Sequence, residues 1–528
     1  MSLPRPGHDD PFCDPAPPAP TPTPTPTSAH VPDTLAVGRN ASLTLGPDAV
    51  VVLDEELPAT QRARCCRLPL RGSELLARPL TGRRSHGSEK ENKPTRSIPY
   101  SHVLWAKHAD DDGAITIQYA HTAANKSVRP ALVAYPLHKP DSRLADAWVE
   151  ELLRRAYGAS QRRKRIKVLV NPFGGQGSAL KTYHKLIAPI LAAARCALDM
   201  QLTDHSGHGV EIARNMDIEA YDVVACCSGD GIPHEVWNGL GQRPDAARAL
   251  HKIAVVQLPC GSGNAASLNF NGTDNPSLAA LAAVKGLRTP LDLASISQGN
   301  NRILSFLSQS VGIVAETDLA TEHLRWMGGA RFTWGFLVRL ATKTIYPADI
   351  AVKVEHDTKA AVREAYRAQA SNPRRSIDDR PTPAPDAGLP ELKYGTINDP
   401  LPPDWELVPH DHLGNFYAGN VAYMSADANF FPAALPSDGC LDLVRIRGDI
   451  ARLTAIKTLL AIENDSFFEM EHVDYKKVSA YRIIPHQKNG YISIDGERLP
   501  FEPFQVEVHR GLGTVLSKNG RLCEAKGL

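Results

Sequence analysis

Three apolar segments in the middle of the chain each run directly into a turn rich in glycine and other small residues. The segments are residues 166–170, 222–227 and 252–258. Each is short, apolar and contains β-branched residues, which is typical of a buried strand. A helical pattern follows each turn. The sequence therefore predicts strand–turn–helix units whose strand ends meet at one ligand-binding edge of an α/β sheet.

The second turn reads Ser228-Gly229-Asp230-Gly231 and places one carboxylate at the end of a strand. Because glycine has no side chain, a ligand and the backbone can approach this aspartate closely. A Gly-Asp-Gly triplet alone is more often a plain turn. The interpretation as a functional site depends on the neighbouring turns.

The first turn, residues 171–178, contains three glycines and precedes a helix. Such a turn binds anions, because backbone N–H groups point outward and the helix dipole favours negative charge. It has neither the Walker pattern nor the Rossmann spacing, since no Lys-Ser/Thr pair follows its last glycine. The third turn, residues 259–264, also opens a helix. Three such turns favour one phosphate-binding edge over coincidence.

Composition limits the remaining choices. The 528 residues suggest two to four domains, and 42% hydrophobic with 22% charged residues is an ordinary balance for a soluble protein. A net charge of +1 gives no case for nucleic-acid binding. No apolar run reaches the ~18 residues of a spanning helix, and the Pro-rich N-terminus is not a signal peptide. Nine scattered cysteines, an odd number, favour a reducing, cytoplasmic location.

The order and spacing of the three turns resemble a known catalytic domain. Asn171-Pro172-x-Gly174-Gly175-x-Gly177, Ser228-Gly229-Asp230-Gly231 with His234-Glu235, and Pro259-x-Gly261-Ser262-Gly263-Asn264 are similar to the lipid-kinase domain shared by diacylglycerol, ceramide and sphingosine kinases. Ser228, directly before Gly229, resembles the sphingosine kinase branch, and Ile232-Pro233 after the motif resembles the fungal long-chain-base members of that branch.

The resemblance, which runs from about residue 166 to the C-terminus, implies an α/β nucleotide-binding domain followed by a C-terminal β-sandwich lipid-binding domain. Strand patterns earlier in the chain predict a small β-rich module before them. We expect disorder over 1–40, the small module over 41–160, the ATP-binding domain over 163–295 and the lipid-binding domain over 296–528. Strands closed by one helix give the module a topological resemblance to pleckstrin-homology domains; a generic β domain is equally compatible. A helical piece and then Pro-rich, charged sequence over 372–389 predict a disordered insertion in a surface loop over about 356–403.

The resemblance also implies roles for individual residues. Asp230 is the expected catalytic base, and Asp318 is expected to bind the amine and hydroxyl head of a sphingoid base together with the Ser228–Gly231 turn. Asp495 and Glu497 are candidate Mg²⁺ ligands, although a surface turn would also explain them. The expected nucleotide-binding residues are Asn171, Pro172, Phe173, Gly174, Gly175, Thr203, Glu235, Gly261, Ser262, Gly263, Arg325, Arg331, Asp495, Gly496 and Glu497.

The expected activity is ATP- and Mg²⁺-dependent phosphorylation of the primary hydroxyl of a sphingoid base at the cytosolic face of a membrane. Adjacent Cys65 and Cys66, beside arginines, are candidates for S-acylation, with two ordinary thiols as the alternative. The sequence does not decide whether the protein forms a homodimer.

Ceramide or diacylglycerol kinase activity and a non-enzymatic lipid-sensing scaffold are the competing interpretations. NAD kinases share a similar Gly-Asp-Gly turn but do not explain the second half of the chain.

Overall fold

The computed structural model describes residues 32–38, 40–54, 95–109, 113–124, 126–137, 141–320, 344–370, 380–523 and 525–528. Most of the segment 1–40 lies outside these ranges. So do four of the predicted site residues: Cys65, Cys66, Arg325 and Arg331.

The N-terminal module consists of two antiparallel sheets and one helix. The first sheet contains β1 (Thr34–Val37), β2 (Ala41–Leu45), β3 (Ala49–Asp54) and β4 (Thr95–Pro99), and the second contains β5 (Val103–Ala109), β6 (Ala114–Thr122) and β7 (Val128–Pro136). Helix α1 (Ser142–Tyr157) follows; the Asp141 carboxylate caps it by accepting from the Leu144 N–H at 3.1 Å. The likeness to pleckstrin-homology domains stays a prediction.

The middle of the chain forms the parallel sheet that the sequence predicts. Its strands lie in the order β9, β8, β10, β11, and Cys227 on β10 is opposite Val170 on β8. All four therefore end at the same edge. The elements are β8 (Arg165–Val170), α2 (Gly174–Gly177), α3 (Ala179–Thr182), a π-helical turn (Tyr183–Ile187), α4 (Ala188–Ala193), β9 (Ala197–Leu202), α5 (His208–Asn215), β10 (Val223–Ser228), α6 (Gly231–Gly241), α7 (Ala246–Lys252), β11 (Ala254–Pro259), α8 (Ala265–Asn271) and α9 (Pro276–Lys285).

The rest of the chain is rich in antiparallel strands. Its elements are β12 (Leu287–Gln298), β13 (Asn301–Ser305), β14 (Ser308–Gly312), α10 (Ile313–Ala320), β15 (Ala348–His356), α11 (Lys359–Ala370), β16 (Val408–His410), β17 (Leu413–Gly419), β18 (Tyr423–Ser425), β19 (Ala428–Asn429), β20 (Leu441–Arg447), α12 (Arg452–Glu463), β21 (Asp474–Pro485), β22 (Ile492–Ile494), β23 (Glu497–Leu499) and β24 (Phe504–Ser517).

Strand β24 joins the two halves into one sheet. It pairs antiparallel with β12 and β21, and Val515 pairs in parallel with Val255 on β11. The mixed α/β class is confirmed. The division into a nucleotide-binding domain and a separate β-sandwich domain stays a prediction, because this strand belongs to both halves.

Helix α11 agrees with the helical piece expected after residue 356. Residues 380–403 differ from the expected disorder, because they contact the body of the protein through their backbone. The Glu507 carboxylate accepts from the N–H groups of Lys393 (3.0 Å) and Tyr394 (2.9 Å), and the Gln505 amide donates to the carbonyl of Gly395 at 2.7 Å. Side chains far away in sequence thus satisfy an irregular backbone, which composition alone does not reveal.

The N-terminal module and the parallel sheet share one hydrophobic core. Trp148 and Leu152 of α1 belong to the same buried cluster as Ile190 of α4 and Ala280 of α9. Hydrogen bonds close the junction: the Ser160 hydroxyl donates to the carbonyls of Val284 and Gly286, at 3.2 and 3.1 Å. The module is therefore a fixed layer on the helices that cover this sheet.

Two lysines, one buried and one half-buried, reinforce this junction. Lys164 donates to the Val284 carbonyl at 2.7 Å, and Lys285 donates to the Ala156 carbonyl at 2.9 Å. Burial lowers the pKa of Lys164 to about 8 and that of Lys285 to about 7. The carbonyl partners of both lysines lie near helix C-termini, where cations are stabilised.

Trp148→Ala tests the shared core. Trp148 is fully buried, so its loss should destabilise the fold by about 3–5 kcal/mol. Calorimetry should show one cooperative unfolding transition at a lower temperature for the whole protein. Leu132→Ala, at an exposed β7 position, is the matched control and should change little. Separate transitions, with only one affected by Trp148→Ala, would contradict a shared core.

Candidate active site

The second and third turns meet backbone to backbone. A Cβ placed on Gly261 would lie 2.3 Å from the nitrogen of Gly229, and one placed on Gly229 would lie 2.9 Å from the carbonyl oxygen of Gly263. The Cys260 N–H donates to the Ser228 carbonyl at 3.1 Å, extending the pairing of the two strands into the turns. Only glycine permits this approach.

The first turn packs against the third. Gly175 has a φ of +55°, and a Cβ there would lie 2.4 Å from the Cys260 carbonyl oxygen. The Asn171 side chain accepts from the Phe173 N–H at 3.0 Å and so shapes the turn, while the Phe173 side chain is 77% exposed. The structure thus gathers all three predicted turns at one edge. Ser262, also predicted, is exposed on the third turn.

Asp230 lies half-buried at the centre of this edge. Its carboxylate accepts from the N–H groups of Ala265 (2.9 Å) and Ala266 (3.0 Å), the first residues of α8. Burial raises the pKa of Asp230 to about 6; the two N–H donors oppose this shift and the negative charge of Asp495 adds to it. The carboxyl is therefore a stronger base than an ordinary aspartate.

The Asp495–Gly496–Glu497 turn reaches the same edge from the other half of the chain. A Cβ on Gly231 would lie 3.2 Å from the Glu497 Oε1, so the exposed Glu497 carboxylate is next to the start of α6. Asp318 on α10 accepts from the Ser493 hydroxyl at 3.2 Å and lies beside Gly496. The turn therefore separates Asp230 from Asp318.

Asp495 itself is sealed inside the protein. Its side chain is 0% exposed, and its two oxygens accept five hydrogen bonds. The donors are the Ser305 hydroxyl (2.7 Å), the N–H groups of Phe306 (3.0 Å), Leu307 (2.9 Å) and Ser308 (3.0 Å), and His234 Nδ1 (2.8 Å). Such a carboxylate has no free coordination position for a metal ion.

Two predicted nucleotide-binding residues have structural contacts. The Glu235 carboxylate accepts from the N–H groups of Gly207 (2.9 Å) and Gly209 (2.8 Å) and so holds the loop before α5. Thr203 is buried, and its N–H donates to the Val170 carbonyl at 3.0 Å. Both residues shape the rim of the edge, and their contact with a nucleotide stays a prediction.

The sequence interpretation did not assign roles to three polar residues beside the site. His234 contacts Asp495. Asn238, one helical turn later, binds both backbone groups of Leu304, with 2.9 Å for each bond. The Gln257 side chain accepts from the Ser267 N–H at 2.7 Å at the start of α8. A glutamine inside an apolar strand pattern and the i, i+4 spacing of His234 and Asn238 were the available signals.

An apolar cavity lies at the N-terminal end of α10. Its walls come from α10, α12 and neighbouring strands, and the lining residues include Ile313, Val314, Phe430, Ile446, Ala455 and Ile462. Asp318 follows Val314 by one helical turn on α10. One short helix thus links an acidic position at the edge with an apolar space beyond it.

Neither a metal cluster nor a membrane-spanning helix is found among the residues that the structure describes. No group of three or more His, Cys, Asp or Glu side chains within those ranges could hold a metal ion alone. Within the same ranges, each helix is too short or too polar to cross a bilayer.

Comparisons with known proteins identify relatives over most of the chain. Residues 165–296 match the diacylglycerol kinase catalytic domain, and residues 33–158 match a domain of unknown function (DUF7493). The chain is 37% identical to sphingoid long chain base kinase 5 of Saccharomyces cerevisiae, over 82% of this chain and 72% of that protein.

Two further relatives are similar over shorter parts of the chain. Sphingoid long chain base kinase 4 of Schizosaccharomyces pombe is 32% identical, over 80% of this chain and 88% of its own length. Human sphingosine kinase 1 is 30% identical, over 67% of this chain and 90% of its own length.

The raised pKa of Asp230 predicts a pH-dependent stability difference. A carboxyl whose folded-state pKa is about 6 stabilises the fold when protonated, below about pH 4, and loses that contribution as pH rises through 6. Asp230→Asn should therefore gain stability over wild type by about 1 kcal/mol more at pH 8 than at pH 5. Thermal unfolding at the two pH values measures this.

Asp222→Asn provides the control for this measurement. Asp222 lies at the opposite end of β10, where Arg165 and other donors, outweighing burial, hold the pKa of its carboxyl below the usual value. Its substitution should destabilise the protein at both pH values. A difference between Asp230→Asn and wild type that does not change with pH would reject the raised pKa.

Proposed function

The chain belongs to the sphingoid long chain base kinase family, with a catalytic domain of the diacylglycerol kinase type, and from this premise we propose how its residues perform the reaction. It is an ATP-dependent lipid kinase that transfers the γ-phosphate of ATP to the primary hydroxyl of a sphingoid base. The observation that carries the residue assignments is the meeting of three glycine turns around the half-buried Asp230.

ATP binds along the edge formed by the first and third turns. Backbone N–H groups of these turns face the phosphates, and glycine at positions 174, 175, 261 and 263 leaves room for close approach. The exposed Phe173 side chain offers an apolar surface beside the first turn. Arg325 and Arg331 are proposed phosphate ligands on the family resemblance alone, because both lie outside the described residues.

Asp230 takes the proton of the substrate hydroxyl. As the hydroxyl oxygen forms its bond to the γ-phosphorus, the bond from phosphorus to the β–γ bridging oxygen breaks and ADP leaves. The proton passes to the Asp230 carboxylate. With a pKa of about 6, the carboxylate is mostly ionised at neutral pH, yet it is a better proton acceptor than an unperturbed aspartate.

Asp318 and the apolar residues beyond it match the two ends of an amphipathic cationic lipid in chemical character. The Asp318 carboxylate attracts the ammonium group of the sphingoid base, a group that diacylglycerol lacks. The lipid chain then extends toward the apolar residues near Val314, among them Phe430 and Ile462, where the cavity of about 20 Å³ must widen to admit it. This places the head beside the Asp495–Gly496–Glu497 turn and near Asp230.

Glu497 is the proposed protein ligand of Mg²⁺. Its carboxylate is exposed beside Gly231, whereas both Asp495 oxygens are occupied by protein donors. Mg²⁺ usually binds through one or two carboxylates together with substrate phosphates, which fits this donor set. When bound, the ion neutralises charge on the transferred phosphoryl group.

The lipid substrate also leads us to propose peripheral association with the cytosolic face of a membrane. S-acylation of Cys65 and Cys66 would strengthen it, since two acyl chains anchor stably where one binds only marginally. Both cysteines lie outside the described residues. A homodimer is compatible with this proposal and is tested by the mass of the protein in solution.

Asp230→Asn tests the base. The amide cannot accept the proton, so turnover with sphinganine should fall by at least about 100-fold, while ATP binding measured by calorimetry remains. In wild type, turnover should decline as pH falls through about 6, because the carboxylate becomes protonated. Near-normal turnover of the variant would reject this role for Asp230.

Asp318→Ala tests the head-group site. Loss of the carboxylate should raise the KM for sphinganine by about 10-fold or more, since a charge-assisted bond contributes about 1.5–3 kcal/mol. Radiolabelled-phosphate assays with sphinganine, ceramide and diacylglycerol provide the comparison. Wild type should phosphorylate the neutral lipids poorly, and Asp318→Ala should not lower their rate of phosphorylation further. Preference of wild type for a neutral lipid would reject the amine assignment.

A further inference from the structure

The Asp-Gly-Glu turn has two carboxylates with opposite environments. Glu497 is exposed, while the Asp495 side chain is 0% exposed and receives five hydrogen bonds. A buried carboxylate is tolerated only when its oxygens are satisfied, and here protein donors satisfy both. The two acids in this short motif therefore have different tasks.

The donors to Asp495 come from two separate parts of the chain. Four of them, at positions 305–308, extend from the last residue of β13, through the turn, to the first residue of β14. The fifth is His234 Nδ1, on α6, the helix that begins directly after Asp230. In addition, the Asp495 N–H donates to the Ser308 carbonyl at 2.8 Å. Asp495 therefore joins the catalytic helix to the strand-rich half.

We infer that the His234–Asp495 pair positions α6, and with it Asp230, against the Asp495–Gly496–Glu497 turn, and that Asp495 does not ligate the metal. This inference rests on the proposed function. His234 and Asp495 are positioning residues, and this inference replaces the nucleotide contact that the sequence led us to expect for Asp495.

Asn238 supports the same contact one turn further along α6. Its amide donates to the Leu304 carbonyl and its carbonyl oxygen accepts from the Leu304 N–H, both at 2.9 Å. The side chains of His234 and Asn238 also approach each other, with 3.3 Å between Nε2 and Nδ2. Two successive turns of α6 are thus held against β13 and the turn that follows it.

The backbone conformation at Asp495 is one that hydrogen bonds from other parts of the chain would have to stabilise. Its φ is +54°, in the left-handed region that few residues other than glycine, asparagine and aspartate adopt. Gly496 follows with a φ of +89°. The hydrogen bonds to the carboxylate hold this conformation, which points Glu497 toward Gly231 and leaves Gly496 beside Asp318.

The charges of the pair suit this role. Burial by itself would lower the pKa of His234, but the hydrogen bond to Asp495 and its negative charge, with smaller contributions from Glu497 and Glu235, raise it overall. Whenever the ring is protonated, its positive charge offsets the Asp495 charge in this buried contact between the halves. The Nδ1–H donor remains available in the neutral ring as well, given the matching tautomer.

Three variants test the inference: Asp495→Asn, His234→Ala and His234→Asn. Misplacing a reacting group by about 1 Å can cost about 100-fold in rate, so kcat should fall by roughly 10- to 100-fold in the first two. The KM values for ATP and sphinganine, and the Mg²⁺ concentration that gives half-maximal rate, should stay within about 3-fold. His234→Asn keeps a donor near the Nδ1 position and should recover part of kcat.

Asp222→Asn is the matched control. It removes another hydrogen-bonded carboxylate, which contacts Arg165 and Gln161 at the far end of β10, about 20 Å from Ser228 at ~3.3 Å per residue. It should lower the unfolding temperature and leave kcat unchanged. If lost stability alone lowers kcat, kcat will fall in Asp222→Asn as well. An equal fall in Asp222→Asn and Asp495→Asn would therefore overturn the positioning role.

The outcomes separate this inference from the proposed function. A wild-type kcat in Asp495→Asn would reject positioning, whereas a raised Mg²⁺ requirement with kcat restored at high Mg²⁺ would show a metal ligand. If Asp495→Asn does not fold, Ser305→Ala removes only one donor and should lower kcat a few-fold at unchanged KM; an unchanged kcat would reject the inference. Absence of any lipid phosphorylation by wild type would instead reject the proposed function.

Discussion

The close approach of two backbones at Gly229 and Gly261 is the constraint on which the site depends. A side chain at Gly261 would clash with the Gly229 nitrogen, because its Cβ would lie only 2.3 Å away. With glycine at both positions, the ends of β10 and β11 remain paired as they turn into α6 and α8. Asp230 can then lie across the start of α8, and the first turn can rest on the Cys260 carbonyl.

Local pattern was sufficient to predict this part of the molecule. Strand, turn and helix signals near residues 166–178, 222–231 and 252–264 are contiguous in sequence, and parallel strands place their ends together. The roles of Glu235 and Asp495 were beyond such reasoning. Their donors, Gly207 and the residues 305–308, are distant in sequence, so only the folded chain shows that both carboxylates are occupied. The same holds for Glu507, which orders residues 393–394.

The N-terminal module is part of the same physical unit as the catalytic edge. Its helix α1 and the helices α4 and α9 bury one continuous core, and Ser277 of α9 accepts a 2.9 Å hydrogen bond from the Val128 N–H on β7. Composition and strand pattern predicted a module distinct from the catalytic domain, because such patterns describe each segment of the sequence alone. Packing between segments determines that it is a layer of the structure and not an appendage.

The path of β24 has a consequence for how the protein is made. Val515 on β24 pairs with Val255 on β11. This side of β11 therefore stays unpaired until β24, the last strand of the chain, has left the ribosome. Contacts this distant in sequence form slowly, and an unpaired edge invites wrong partners. The catalytic sheet therefore remains incomplete until late in synthesis. During that time its exposed edge is most in need of chaperones.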